Sequence, residues 1–190
     1  MLRNAYCVVR IACEISEALV NPIYRKTPFS LMKPPANFEQ WKSSVPDDIR
    51  KDVLWRMNVY QFALFAGDIA WFDVSKLMQD VRTRSLSEQL YRAVGSISAN
   101  IAEGYSRGSG KDRARFYTYA LGSARESRDW YHKSRPILGE KVVEHRIHLL
   151  TEIIRLLLTI IQRQRSTASF QEPPPEYRTS TSLLVNIPYT

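Results

Sequence analysis

Proline divides this chain more sharply than any other feature. Five of its ten prolines (Pro22, Pro28, Pro34, Pro35 and Pro46) lie in residues 1–50, four (Pro173, Pro174, Pro175 and Pro188) lie after residue 165, and Pro136 stands alone between them. Proline removes a backbone donor and its ring clashes with the preceding helical turn, so helices are expected where proline is scarce. The reading is an N-terminal extension over 1–51, partly helical and then irregular, a helical body over 52–165, and a proline-rich disordered tail over 166–190. A length of 190 residues suits one such body with tails, and 44% hydrophobic with 24% charged residues is the usual mix of a soluble globular chain.

Four helices are legible in the body. The first spans roughly Asp52 to Gln79 and is apolar on nearly every side. Arg56, Asp68, Asp73 and Lys76 interrupt it at depths that would be costly in a bilayer, so it reads as a buried helix and no membrane partner is expected. The second starts at Ser85, where Ser85-Leu86-Ser87-Glu88 has the spacing of a capping box, and runs to Tyr105 with a seam of Leu86, Leu90, Val94, Ile97 and Ile101. Gly108-Ser109-Gly110 makes the next turn, with Ser109 or Gly110 as cap of a third helix from Lys111 to Leu138, which Gly139 ends. The fourth, Glu140 to Arg165, carries Val143, Ile147, Leu150, Ile154, Leu157 and Ile161 along one seam. A second seam of Leu149, Ile153, Leu156 and Ile160 lies about 100° around the same helix. The expected fold is all-α: an antiparallel up-down four-helix bundle with an N-terminal arm and a disordered C-terminal tail. The doubled seam and the greasy first helix favour self-association.

The ends carry weaker signals. Arg10, Glu14 and Glu17 break up the apolar start of the chain, and Val8, Ile11, Ile15 and Leu19 suit a short amphipathic helix better than a secretory leader. Phe38, Trp41 and Trp55 are expected to pin the arm to the body. Cys7 and Cys13, the only cysteines, make neither a disulfide framework nor a zinc knuckle, so a reducing cytoplasm is the expected compartment.

The stretch from Gln89 to Arg107 is distinctive, above all Ser98-Ala99-Asn100-Ile101-Ala102-Glu103-Gly104-Tyr105-Ser106-Arg107. With Lys111-Asp112, Arg115-Phe116 and Ala120 to Glu126 it resembles the four helix bundle proteins that include those encoded in intervening sequences of bacterial 23S rRNA genes. More distantly it is similar to the accessory variability proteins of diversity-generating retroelements. The resemblance covers residues of about 54–163. It implies a pentamer and, as partners, RNA or a reverse transcriptase. The small residues Gly95, Ser96, Ser98, Ala99 and Ala102, facing Ala120, Gly122, Ser123 and Ala124, would let the second and third helices approach closely. Asn100, Glu103 and Gly104 read as a structural motif, with the two polar side chains hydrogen-bonded inside the bundle or at a subunit contact.

The formal net charge is +8, and residues 85–135 carry +4 of it. Arg125, Arg128, His132 and Arg135 recur at helical spacing, Lys111 falls on the same side, and Arg107, Arg113 and Arg115 surround the glycine-containing turn. Arginines beside aromatics suit phosphate contact and base stacking. The candidate nucleic-acid-binding residues are therefore Arg107, Lys111, Arg115, Arg125, Arg128 and Arg135, with Tyr105 as a stacking platform. The same stripe also reads as a solvated face laced by Arg125–Asp129 and Asp129–Lys133 pairs. No RRM, KH loop or C₂H₂ finger is present. His145, His148 and Glu152 share a helix face but lack a partner helix of the same character, so no metal is expected. No nucleophilic triad, phosphate loop or dinucleotide fingerprint appears, so neither a cofactor nor catalysis is expected. Two readings remain: a non-catalytic oligomeric accessory protein that binds RNA or a nucleic-acid enzyme through a basic face, or a purely structural protein–protein module.

Overall fold

Helices make up all the regular structure of residues 33–165 and 184–189, which are the residues described by the computed structural model. The chain divides into two units, residues 1–33 and 34–190, and every described helix belongs to the second. The expected helix around residues 8–19 and the expected disorder of 166–183 lie outside the described residues.

The helices are α1 (Phe38–Ser44), α2 (Asp47–Arg50), a 3₁₀ turn (Val53–Arg56), α3 (Asn58–Leu77), α4 (Arg84–Tyr105), α5 (Gly110–Lys133), α6 (Arg135–Leu138) and α7 (Glu140–Arg165). Among the described residues there is no strand. The long helices pack α3 on α4, α4 on α5 and α5 on α7, and α3 also meets α7. Their shared core includes Ile69, Leu77, Leu90, Ile97, Ile101, Leu149, Leu150 and Ile153. Leu149 and Ile153 of the second α7 seam are thus covered by their own chain. Leu156 and Ile160, nearer the end of that helix, stay partly exposed.

Local chemistry sets the boundaries. Asp52 caps as its position suggests, its Oδ1 accepting from the Leu54 amide at 2.8 Å, but only for the 3₁₀ turn. Met57 is extended, so α3 begins at Asn58 rather than at Asp52. The expected capping box at Ser85 does not form. Ser85 lies inside α4, the N-cap is Thr83, and Thr83 spends its hydroxyl on the Leu77 carbonyl at 2.6 Å, closing the preceding turn instead. Ser109 does cap α5, accepting from the Asp112 amide at 3.0 Å. The third helix is shorter than expected because Pro136 cannot continue it. It stops at Lys133, and Pro136 falls in the first turn of α6, where its missing N–H is harmless. Gly139 adopts φ +80° and ends α6.

Within the described part of the arm, residues 33–51, there are two short helices where the sequence suggests irregular chain. Asn37 caps α1 through Gln40, and Phe38 and Trp41 are buried against Phe65 with ring centroids 5.1 Å away in each case. Trp41 Nε1 donates to Asp68 Oδ2 at 2.6 Å.

Two charges lie in the core. Arg146 of α7 and Asp73 of α3 are 1% and 2% exposed, with Nε to Oδ2 at 2.7 Å and Nη2 to Oδ1 at 3.1 Å. The Tyr131 hydroxyl of α5 donates to the same carboxylate at 2.9 Å. Burial, reinforced by the Asp73 charge, holds the Tyr131 phenol well above its ordinary pKa. For Arg146, burial opposes the charge, but the Asp73 carboxylate outweighs it and keeps the guanidinium protonated.

The far C-terminus corrects the expectation of a tail that is disordered throughout. The Phe38 amide donates to the Leu184 carbonyl at 2.9 Å, and the Ile187 amide to the Ala36 carbonyl at 3.3 Å. Ile187 is buried, Tyr189 sits edge-on to Phe72, and Arg146 Nη2 donates to the Pro188 carbonyl at 3.0 Å. The physical reason is that these residues cover the end of a buried guanidinium and satisfy one of its donors. Ending the chain at residue 183 is therefore expected to cost about 2–4 kcal/mol, because Ile187 would no longer be buried and an Arg146 donor would go unmet. A thermal melt should register this as a drop of several degrees. An unchanged midpoint would show that the segment contributes nothing.

Candidate nucleic-acid interface

Two close approaches build one end of the molecule. A Cβ added at Gly104 would lie 2.8 Å from Tyr117 Cε1 and 3.0 Å from Phe116 Cβ, so the last turn of α4 lies directly on the α5 side chains. A Cβ at Gly110 would lie 2.9 Å from the Gln164 carbonyl oxygen, so the end of α7 meets the first turn of α5. Arg113 ties these pieces together. Its Nε donates to Gln164 Oε1 at 2.9 Å and its Nη1 to the Arg107 carbonyl at 3.2 Å.

Cations gather on this frame. Arg107, in the turn after α4, pairs with Glu103 and lies 4.6 Å over the Phe116 ring. Arg115 lies 5.3 Å over the same ring and 3.8 Å from Asp112. Lys111 is exposed on the first turn of α5, and Tyr105 is 39% exposed on the last turn of α4. Beside them is a groove of about 570 Å³ between α5 and the end of α7, with Lys111, Asp112, Arg115, Tyr119, Gln164 and Arg165 in its lining. The Asp112 carboxylate accepts from the Ser109 hydroxyl at 2.7 Å. Tyr119 is 52% exposed and packs edge-on against Phe116 at 5.7 Å.

The expected stripe is not continuous. Arg107, Lys111 and Arg115 come together with Tyr105 near the α4–α5 turn. Arg125 is exposed farther along α5, and Arg128 is laid against α7 with Nη1 3.2 Å from Thr151 Oγ1. Arg135 stands beyond the break at Ser134, on α6, paired with Glu140 at 3.2 Å. Tyr117 is buried under Gly104, and Trp130 is half-buried with its Nε1 on Glu126, so neither offers a free face.

The small-residue motif needs a similar correction. Glu103 is exposed, and Asn100 turns back to donate to the Ser96 carbonyl of its own helix at 2.8 Å, so neither is buried in the interior. Gly95 and Gly122 are exposed with nothing within 4 Å of an added Cβ. Ala120 and Ala124 of the expected set are buried, and Gly104 and Ala114 join them in place of the two exposed glycines. Of the metal-like set, the His145 Nδ1 is 2.9 Å from Arg146 Nη1, His148 is exposed, and Glu152 pairs with Arg155 at 2.6 Å. Among the described residues no group of His, Cys, Asp and Glu is placed to hold a metal ion, and no helix is long and apolar enough to cross a membrane. Sequence reasoning missed Tyr119 and Arg165. The i,i+4 spacing of Lys111, Arg115 and Tyr119 was the available signal for the first; nothing local marks Arg165.

A sequence model of the 23S rRNA-intervening sequence proteins matches residues 57–159, more than half of the chain. The chain belongs to that family. A solved structure agrees: a protein of unknown function from the S23 ribosomal protein family of Bacteroides thetaiotaomicron is similar, with a TM-score of 0.52 and 25% identity over 55% of this chain and 98% of that one. No curated protein matches the chain. The α4–α5 turn, with its glycine contacts and most of the groove, falls inside the span matched by the intervening-sequence family, whereas Gln164 and Arg165 fall just outside it.

The two glycines of α4 separate packing from propensity. Gly95→Ala is expected to stabilise by about 0.5–1 kcal/mol, the usual gain for alanine in an open helix. Gly104→Ala should instead destabilise by about 1–3 kcal/mol, because the buried Tyr117 ring leaves no room. Denaturant unfolding of both variants checks the pair, and shifts of the same sign would refute the close approach.

Proposed function

We propose that this chain is an up-down four-helix bundle that acts without catalysis, as a homo-oligomeric accessory protein binding RNA through the α4–α5 end. Alternation of helix direction is supported by three contacts. The end of α3 meets the start of α7 at Asp73–Arg146, the end of α4 meets the start of α5 at Gly104, and the start of α5 meets the end of α7 at Arg113–Gln164. The observation that carries the functional reading is the convergence of Arg107, Lys111, Arg113, Arg115 and Arg165 around one turn and one groove. Cations so placed suit a phosphate backbone, and no base-reading motif accompanies them, so affinity without strong sequence preference is expected. The family's name, which ties it to intervening sequences of 23S rRNA, is consistent with an RNA partner. Self-association would repeat the cationic end and add avidity to weak contacts. The partly exposed Leu156, Leu158 and Ile160 of α7 supply apolar surface for that contact. A reverse transcriptase remains the alternative partner, and a cytoplasmic site of action fits an RNA role.

RNA affinity measured across a salt series tests the proposal. Binding should weaken steeply as salt rises, and changing Arg107, Lys111 and Arg115 together to Gln should lower the slope of log affinity by about one for each cation removed. Changing Arg128 and Arg135 to Gln, which lie on the last turns of α5 and on α6 away from that turn and groove, should alter it little. Absence of RNA binding at every salt concentration would leave the protein–protein reading.

A further inference from the structure

Resting on the RNA reading, we infer that the groove between α5 and the end of α7 is a seat for an unpaired nucleotide. Its base stacks on Tyr119 and its flanking phosphates meet Lys111, Arg115 and Arg165. The groove of about 570 Å³ is lined by all four of these side chains. That volume lies within the roughly 300–1,000 Å³ of sites that take small ligands. Three cations share the lining with one carboxylate, Asp112, which lies 3.8 Å from Arg115, so the lining keeps a net positive charge and favours an anion.

The aromatic ring distinguishes this seat from a merely basic surface. Lys111, Arg115 and Tyr119 recur every four residues on one side of α5, each step advancing about 6 Å along the axis. A strand following that row meets a cation, a second cation and then a ring. Tyr119 is half exposed, and Phe116 holds its ring edge-on at 86°. Phe116 is itself held by Arg107 and Arg115. The Tyr119 ring is thus braced by Phe116 while half of the side chain stays exposed in the lining of the groove. An unpaired base can stack there, whereas the bases of a duplex are hidden in their own stack. Arg165 closes the far side, its Nη2 3.4 Å from Thr118 Oγ1, a contact weak enough to exchange for a phosphate. The site therefore selects single-stranded over double-stranded RNA.

The test compares the full chain with its Tyr119→Ala, Tyr119→Phe and Arg165→Gln variants. Fluorescence anisotropy is read with a labelled oligouridine of about ten nucleotides and with a duplex of the same length, each over a salt series. Tyr119→Ala should bind the single strand about tenfold more weakly with an unchanged salt slope, and the duplex with less than about a twofold change. Tyr119→Phe should retain the parent affinity, since the ring face suffices. Arg165→Gln should lower the salt slope by about one. Circular dichroism should be the same for all four proteins. If RNA binds the parent but Tyr119→Ala binds the single strand equally well, the seat is overturned while the RNA reading stands. If the parent binds neither probe at any salt, both fall.

Discussion

The buried ion pair of Asp73 and Arg146 is the constraint around which the rest of the molecule is arranged. Removing two charges from water costs several kcal/mol per ion, and only near-ideal geometry with every remaining donor satisfied offsets it. That geometry is met. The guanidinium binds the carboxylate through two nitrogens, gives Nη1 to His145 and shares Nη2 with the Pro188 carbonyl, while the carboxylate also accepts the Tyr131 hydroxyl. Four pieces of chain meet there: α3, α5, α7 and the C-terminal residues. A slip of α3 or α7 by one turn would strand a charge, and a slip of α5 would take the Tyr131 hydroxyl from the carboxylate, so the pair sets register as an apolar contact of equal area would not.

The opposite end is organised by exclusion of volume. Gly104 and Gly110 remove side chains where α4 and α7 press on α5, so the basic turn is held on a frame rather than hung from a loop. Between the two ends the core is ordinary aliphatic packing. Within residues 98–107 it is Gly104, not the polar Asn100 and Glu103, that makes the close contact with α5. Asn100 and Glu103 face their own helix or solvent, leaving them free of any packing role at that contact.

Legibility from sequence followed the range of the interaction. Proline placement, the α7 seam and the Ser109 cap are local signals, and they marked a helical chain and its turns correctly. Ser85 failed because α4 begins one residue earlier, at Arg84, with Thr83 at the N-cap position and its hydroxyl turned back to the Leu77 carbonyl. The basic stripe is interrupted where Arg128 lies against Thr151 of α7 and where Pro136 sets Arg135 on α6, and periodicity along one helix shows neither. Asp73 read only as one of the charges against a membrane span, and Arg146 carried no signal at all, since a partner 73 residues away leaves no local pattern. The same holds for Arg165, which reaches the groove only through the packing of α7 on α5, and for Pro188, whose value lies in a carbonyl.

A double-mutant cycle on the buried pair tests this account most directly. Asp73→Leu and Arg146→Met, made singly and together, are compared by equilibrium unfolding. Each single change should cost about 3–5 kcal/mol by leaving an uncompensated buried charge, while the double variant should cost far less than their sum. Small, additive single-site losses would contradict the claim that this pair holds the helices in register.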